Sequence, residues 1–185
     1  MRKTPLAALA AMLILSACWT THVELKYQPP PNVTPAAPGT PAIAVGPFSD
    51  TRGEKPNWIG RVRGTAGNTL ETFVNDQPVA MLVQAQFRAG LEARQFSIVQ
   101  SGAAYEVAGI VRKLSSIQYV HVNTRVEIEV QVWRLPSREA RFVHVYSAQA
   151  VAASSTGIRA LTEKTLRDVV NQALDDRAFR NALQP

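Results

Sequence analysis

Cys18 is the residue whose type and spacing point most directly to chemistry. It is the only cysteine among 185 residues, and it closes the run Leu15-Ser16-Ala17-Cys18. Arg2 and Lys3 make a short basic start, and an apolar segment follows from Leu6 to Leu15. A charged n-region, an apolar h-region and small residues before a cleavage point are the marks of an export signal. Here the residue after the cut carries a thiol. The apolar run is too short for an uncleaved anchor, since spanning needs roughly 17 to 25 apolar residues. A plain cleaved signal, leaving Cys18 as a free thiol, is the other alternative.

The four residues ending in Cys18 resemble a bacterial lipobox. That resemblance implies that Cys18 is diacylated on sulfur, becomes the first residue after cleavage and is acylated again on its new amine. One acyl chain anchors only marginally, whereas two or more anchor stably. The membrane is thus an expected partner, through lipid at the N-terminus. Trp19, not Asp, follows Cys18. By resemblance to enterobacterial sorting, this implies the periplasmic face of the outer membrane.

The remaining constellations are weak as chemistry. Gly60, Gly64 and Gly67 invite a phosphate-loop reading, but the Lys-Ser/Thr ending and the strand-to-helix setting are missing. His121 and His144 fall on adjacent strands of a predicted hairpin, where their side chains would approach. A zinc site wants three or four ligands with a settled second shell, and no third ligand is evident, so no metal site is expected. Glu127 and Glu129 share a polar strand face with Arg125. They read as a solvated ladder of cross-strand ion pairs worth at most about 1 kcal/mol each. Asp50 and Arg52 in Phe48-Ser49-Asp50-Thr51-Arg52 read as a structural turn, with Asp50 satisfying backbone N–H groups and Arg52 pairing with it. Their alternative is a partner-binding rim. No Gly-x-Ser-x-Gly elbow exists. The expectation is no catalytic residue, no cofactor and no enzyme.

The elements that would position these residues follow from hydrophobic periodicity. His22 to Tyr27 alternate, with Val23, Leu25 and Tyr27 on one side. Gln28 to Pro41 holds six of the twelve prolines, a composition expected to be extended and mobile. If 22–27 do not dock, the tether is roughly 23 residues long and reaches about 70 Å at ~3.1 Å per residue. A short strand with Ile43 and Val45 is expected to end at Gly46-Pro47. The stretch from Thr51 to Gly67 reads as a long loop pinned by Trp58-Ile59, and Asn68 to Val74 as a strand. Asp76 is the expected N-cap, with Pro78 in the first turn of a helix. Val79, Leu82, Val83, Phe87, Gly90 and Leu91 form its apolar face, and it ends near Arg94.

Phe96, Ile98 and Val99 read as a strand leaving the helix, and Tyr105 to Leu114 as another. Tyr119 to Arg134 alternates most cleanly. Val120, Val122, Thr124, Val126, Ile128, Val130 and Val132 lie on one face, which predicts core on one side and water on the other. Leu135 to Arg138 is a turn, and Glu139 to Val151 returns as a hairpin. Thr156 is the expected cap of a closing helix, with Ile158, Leu161, Thr165, Leu166, Val169 and Ala173 inward.

This pattern predicts an α+β class: a mixed, largely antiparallel sheet, two helices packed on one face and a long central β-hairpin. The expected organisation is a signal peptide at 1–17, a lipidated N-terminus, short strand and Pro-rich linker at 18–41, and a single domain at 42–185. A mature chain of 168 residues is long enough to bury a core unaided. Export permits disulfides, but a lone cysteine cannot form one within the chain. The net charge is +6, or +4 once Arg2 and Lys3 are removed, and it is scattered. Nucleic-acid binding would want a basic stripe with interleaved aromatics.

The order of features resembles the YajG-like family of outer-membrane lipoproteins across nearly the whole mature chain. The lipobox is followed by His22-Val23-Glu24-Leu25-Lys26-Tyr27, prolines, and Val45-x-x-Phe48-x-Asp50-x-Arg52. Then come Gly90-Leu91-x-x-Arg94-x-Phe96-x-Ile98-Val99 and Tyr105-x-Val107-x-Gly109-x-Val111. The resemblance implies topology, and among residues it gives a role to Cys18 alone. Two functions are expected from this reading. One is a non-enzymatic envelope lipoprotein binding a protein or cell-wall partner through an exposed edge strand or the polar face of 119–134. The alternative is a periplasmic carrier of a lipid or small molecule in a pocket between the sheet and the Asp76–Arg94 helix.

Overall fold

The computed structural model describes residues 19–185; the expected signal peptide and Cys18 lie outside the described residues. The fold is α+β, with one mixed, mostly antiparallel seven-stranded sheet. Its strands are β1 (Trp19–Val23), β2 (Ile43–Asp50), β3 (Trp58–Arg63), β4 (Thr69–Asn75), β5 (Tyr105–Gln118), β6 (His121–Arg134) and β7 (Glu139–Ala153). The helices are α1 (Val79–Ala93), α2 (Ile158–Asp175) and α3 (Arg177–Ala182). The strand order is β1-β4-β3-β5-β6-β7, with β2 also paired to β5.

The long hairpin is organised by one-sided burial. Val122, Thr124, Val126, Ile128, Val130 and Val132 are all fully buried on β6. Their neighbours Asn123 and Arg125 are exposed. Val120, expected on the same face, instead stands in the β5–β6 turn and is exposed. On the buried face, α1 covers β2 and β5, and α2 covers β6 and β7. Small residues on β7 leave room for α2, whose Ile158 and Leu161 pack over Ala150 and Ala152 with Val122. Thr162 ties the helix down, because its hydroxyl lies 2.6 Å from Ser116 Oγ, itself 2.8 Å from Thr124 Oγ1.

β5 is shared along one edge by two strands. Its first half pairs in parallel with β2, from Ile43↔Tyr105 to Asp50↔Val111. Its end pairs in parallel with β3, from Gly60↔Ser116 to Val62↔Gln118. The expected loop from Thr51 to Gly67 therefore contains an inner strand. Trp58 and Ile59 are buried as expected, but as strand residues. Likewise β2 does not stop at Gly46-Pro47. It bulges between Val45 and Phe48 and runs on to Asp50, because a bulge tolerates the missing proline N–H. The segment at Phe96 to Val99 forms only a bridge between Ile98 and Ile43, not a strand.

The helix starts also differ from expectation. Pro78 precedes α1 with no side-chain cap, and Asp76 lies 3.0 Å from His22 Nδ1 instead. Thr156 ends a short 3₁₀ turn, and Gly157 precedes α2 at φ 75°. A chain turning from a strand into a helix there needs a left-handed residue, which glycine adopts without steric cost. The expected fraying after α2 is replaced by α3, capped by Asp176 accepting from the Ala178 N–H.

The N-terminal segment is part of the folded body. β1 pairs in parallel with β4, from Trp19↔Glu71 to Val23↔Asn75. Val23 and Leu25 are buried, and the half-buried Tyr27 donates to Asn171 Oδ1 at 2.7 Å. The alternation expected over 22–27 is thus the burial pattern, although the ladder itself stops at Val23. The proline-rich stretch is extended but pinned. The Ala36 N–H donates to the Arg94 carbonyl at 2.7 Å, and the Arg180 guanidinium donates to the carbonyls of Thr34 and Pro35. No long tether separates residue 19 from the sheet.

Candidate functional site

The Asp50–Arg52 pair has the geometry of a structural clamp. Arg52 Nε and Nη2 donate to the two Asp50 carboxylate oxygens at 2.8 and 2.7 Å. Its Nη1 donates to the carbonyls of Trp58 at 2.8 Å and Leu114 at 3.1 Å. Leu114 lies where β5 passes from β2 to β3, so its carbonyl has no ladder partner on that edge. The guanidinium supplies one. Only 1% of the Arg52 side chain is exposed. Burial raises the Asp50 pKa, but hydrogen bonds and charge from Arg52 outweigh it and leave the carboxyl below its ordinary value.

A second buried cation was not singled out by periodicity. Arg94, fully buried, donates from Nε and Nη2 to Asp175 at 2.8 Å each, and from Nη1 to the Gly90 carbonyl at 3.0 Å. Asn171 Oδ1 lies 3.3 Å from its Nη2. This group locks the C-terminal ends of α1 and α2 to Tyr27. Burial alone would lower the Arg94 pKa, but its bonds to Asp175 raise it, so the cation persists. The available signal was an arginine just past a helix end, with an aspartate ending the other helix.

The remaining sequence candidates separate. His121 pairs with Ala153, whereas His144 pairs with Val130. They are therefore nine residue steps apart along β6, about 30 Å at ~3.3 Å per residue, and their side chains do not approach. His144 instead packs edge-on against Tyr146, with ring centroids 4.7 Å apart. Tyr146 donates to Asp176 Oδ2 at 2.6 Å. Burial and that bond push the phenol up, and the same bond holds the Asp176 carboxyl below its usual range.

Glu127 pairs with Arg125 at 3.5 Å along the same strand, not across strands as expected. Glu129 is buried, accepting from Gln131 at 2.6 Å and from Arg112. The Gln131 bond and then Arg112 lower its pKa, against burial. Gly60 belongs to β3, and a Cβ there would stand 2.2 Å from the Ser116 carbonyl oxygen. Gly64 and Gly67 close the following turn, with the Gly67 N–H bonded to the Gly64 carbonyl.

The space between the sheet and α1, where a carrier would hold its cargo, is filled by side chains. Phe48 and Phe87 stack with centroids 5.0 Å apart. Val45, Val79, Val83, Leu91, Val107 and Val111 close around them.

The accessible features are instead the strands at the two ends of the strand order. β1 forms one edge and begins at the residue after Cys18. β7 forms the other, fifteen residues long and paired in the sheet with β6 alone. Val143, Val145 and Val151 are exposed along it. Among the described residues, no helix is long and apolar enough to cross a membrane.

The fold has solved counterparts. Protein XCC0632 from Xanthomonas campestris, of family DUF330, superposes with a TM-score of 0.64 at 14% identity, covering 87% of this chain and 96% of that one. This likeness establishes a shared fold. Lipoprotein GNA1162 from Neisseria meningitidis matches with a TM-score of 0.39 at 12% identity, over 74% of this chain and 99% of that one. PelC from Paraburkholderia phytofirmans matches with a TM-score of 0.43 at 13% identity, over 76% and 91%. Both scores are too low to define a common fold. No family model matches the chain, and no curated protein matches it.

Proposed function

We propose that this chain is a non-enzymatic cell-envelope lipoprotein, acylated at Cys18 and held on the periplasmic face of the outer membrane. There it binds an envelope protein or cell-wall partner through the β7 edge. The observation that carries this reading is the placement of the two edges. The lipid-bearing residue directly precedes β1, while β7 lies at the far side of the same rigid sheet with its outer edge unpaired. The resemblance of the feature order to the YajG-like lipoproteins supports the same class.

An unpaired strand edge offers a row of N–H and C=O groups to an incoming strand, and alternate side chains supply specificity. Charge and a bulge guard only the start of β7, at Glu139 and Arg141. From Val143 to Val151 it has no proline and no charged residue, and Val143, Val145 and Ser147 alternate along its exposed face. The filled interface under α1 weighs against the carrier alternative.

The test is photocrosslinking in intact cells, with a benzophenone amino acid at Val145 and, as control, at the exposed helix position Asp168. A discrete adduct at 145 and none at 168 is expected. Equal labelling at both, or none at 143, 145 and 147, would remove the β7 edge as the contact.

A further inference from the structure

Among the described residues, one end of the sheet gathers half of the large exposed apolar side chains. The lateral register there runs through Trp19, Glu71, Val62, Gln118, Val122 and Ala152. At or beyond that row stand Trp19, Leu70, Tyr119 and Val120, which are 73, 50, 53 and 64% exposed. Leu70, Tyr119 and Val120 line one open concavity with Val62 and Arg63. Single exposed apolar residues are ordinary, whereas a contiguous group marks an interaction surface.

The composition of the β5–β6 turn is unusual for a turn facing water. Hairpin turns favour Asn, Asp and Gly, yet the three residues between the last pair, Gln118 and Val122, are Tyr119-Val120-His121, with the Tyr119 N–H bonded to the His121 carbonyl at 3.1 Å. The opposite hairpin turn is Leu135-Pro136-Ser137-Arg138, a conventional polar and proline-containing turn.

The chain outside the described residues identifies what covers this end. Cys18 is bonded directly to Trp19, and consecutive Cα atoms are only about 3.8 Å apart. Acyl chains on Cys18 therefore enter the bilayer beside Trp19, at this end and no other. We infer that this end of the sheet is seated in the bilayer surface, an inference that rests on acylation of Cys18. Trp19 and Tyr119 sit at headgroup depth, where amphipathic aromatic rings are favoured. Leu70 and Val120 reach the acyl boundary, and the exposed Arg63 meets lipid phosphates. Glu71, the carboxylate in that row, accepts from the Thr21 hydroxyl. The strands then stand away from the membrane. The turn at Ser137 lies about 45 Å out, at ~3.3 Å per residue over β6.

The test compares Val120→Trp with Ser137→Trp in the full mature lipoprotein. Each is reconstituted in phosphatidylethanolamine–phosphatidylglycerol vesicles with and without brominated acyl chains, which quench nearby indoles. Both positions are exposed turn residues. The expected result is a blue-shifted emission from the added tryptophan at 120 that is lost in brominated vesicles, and no added loss at 137. Equal quenching at the two positions, or quenching at 137 alone, overturns the seating.

The mass of the purified chain separates this inference from the anchoring reading. Should Cys18 carry no acyl groups, anchoring fails. The same variants are then coupled through the Cys18 thiol, the only one in the chain, to a maleimide-headgroup lipid. The contrast between 120 and 137 decides the docking surface there by itself.

Discussion

Arg52 closes the gap that opens where β5 exchanges β2 for β3. A cation this deeply buried depends on its counter-charge, and removing one partner of such a pair costs about 3–5 kcal/mol. Asp50→Asn is therefore expected to lower unfolding stability by about 3 kcal/mol at pH 7, read from the urea midpoint at unchanged slope. The pH dependence has a definite sign. Asp50, Glu129 and Asp176 all titrate below their ordinary values of 3.8, 4.5 and 3.8 in the folded protein. Each contributes stability that is complete above its unfolded value and is lost as pH falls through the folded one. Wild-type stability should thus drop below about pH 4.5, and the deficit of Asp50→Asn should shrink over the same interval. A deficit that stays constant down to pH 2 would show that Asp50 is not the anion Arg52 requires. The turn Asp50-Thr51-Arg52 was legible as a pair; the carbonyls it serves were not, because they belong to strands distant in sequence.

Among the elements, β6 was the most legible and β3 the least, for one physical reason. β6 is buried on one face only, so its residues alternate over a dozen positions. In β3, Trp58, Ile59 and Gly60 are buried in succession, which erases the period of two. Its glycine resembles loop composition, yet it is the residue that lets β3 approach β5. Gly60→Ala would place a methyl group against the Ser116 carbonyl backbone, an overpacking expected to cost about 1–3 kcal/mol. Faster hydrogen exchange of the β3 amides than in wild type checks it, and unaltered protection would contradict the close approach. The caps at Asp76 and Thr156 were misplaced because the competing interactions are tertiary: His22 from β1 takes Asp76, and β7 runs on to Ala153 before the chain can turn at Gly157. Residues 22–27 announced their buried face in the sequence. Their place beside β4 was not readable there, since parallel pairing across some fifty residues leaves no local mark.

At the scale of the whole molecule, the distance between lipid and domain changes most from what composition suggests. Six prolines promised a free tether, but the chain enters the sheet before reaching them, and Arg94, Arg180 and α3 hold them down. The proposed lipoprotein is then a rigid sheet standing on its anchor, with β1 at the lipid side and β7 offered to a partner. That arrangement depends on the chemistry of a single residue. The decisive measurement is the mass of the mature N-terminus, with envelope fractionation, for wild type beside Cys18→Ala. Wild type is expected in the outer-membrane fraction carrying a diacylglycerol and an amide-linked acyl chain on residue 18, and Cys18→Ala without acyl mass and absent from that fraction. Both forms soluble and unmodified in the periplasm would contradict the anchor.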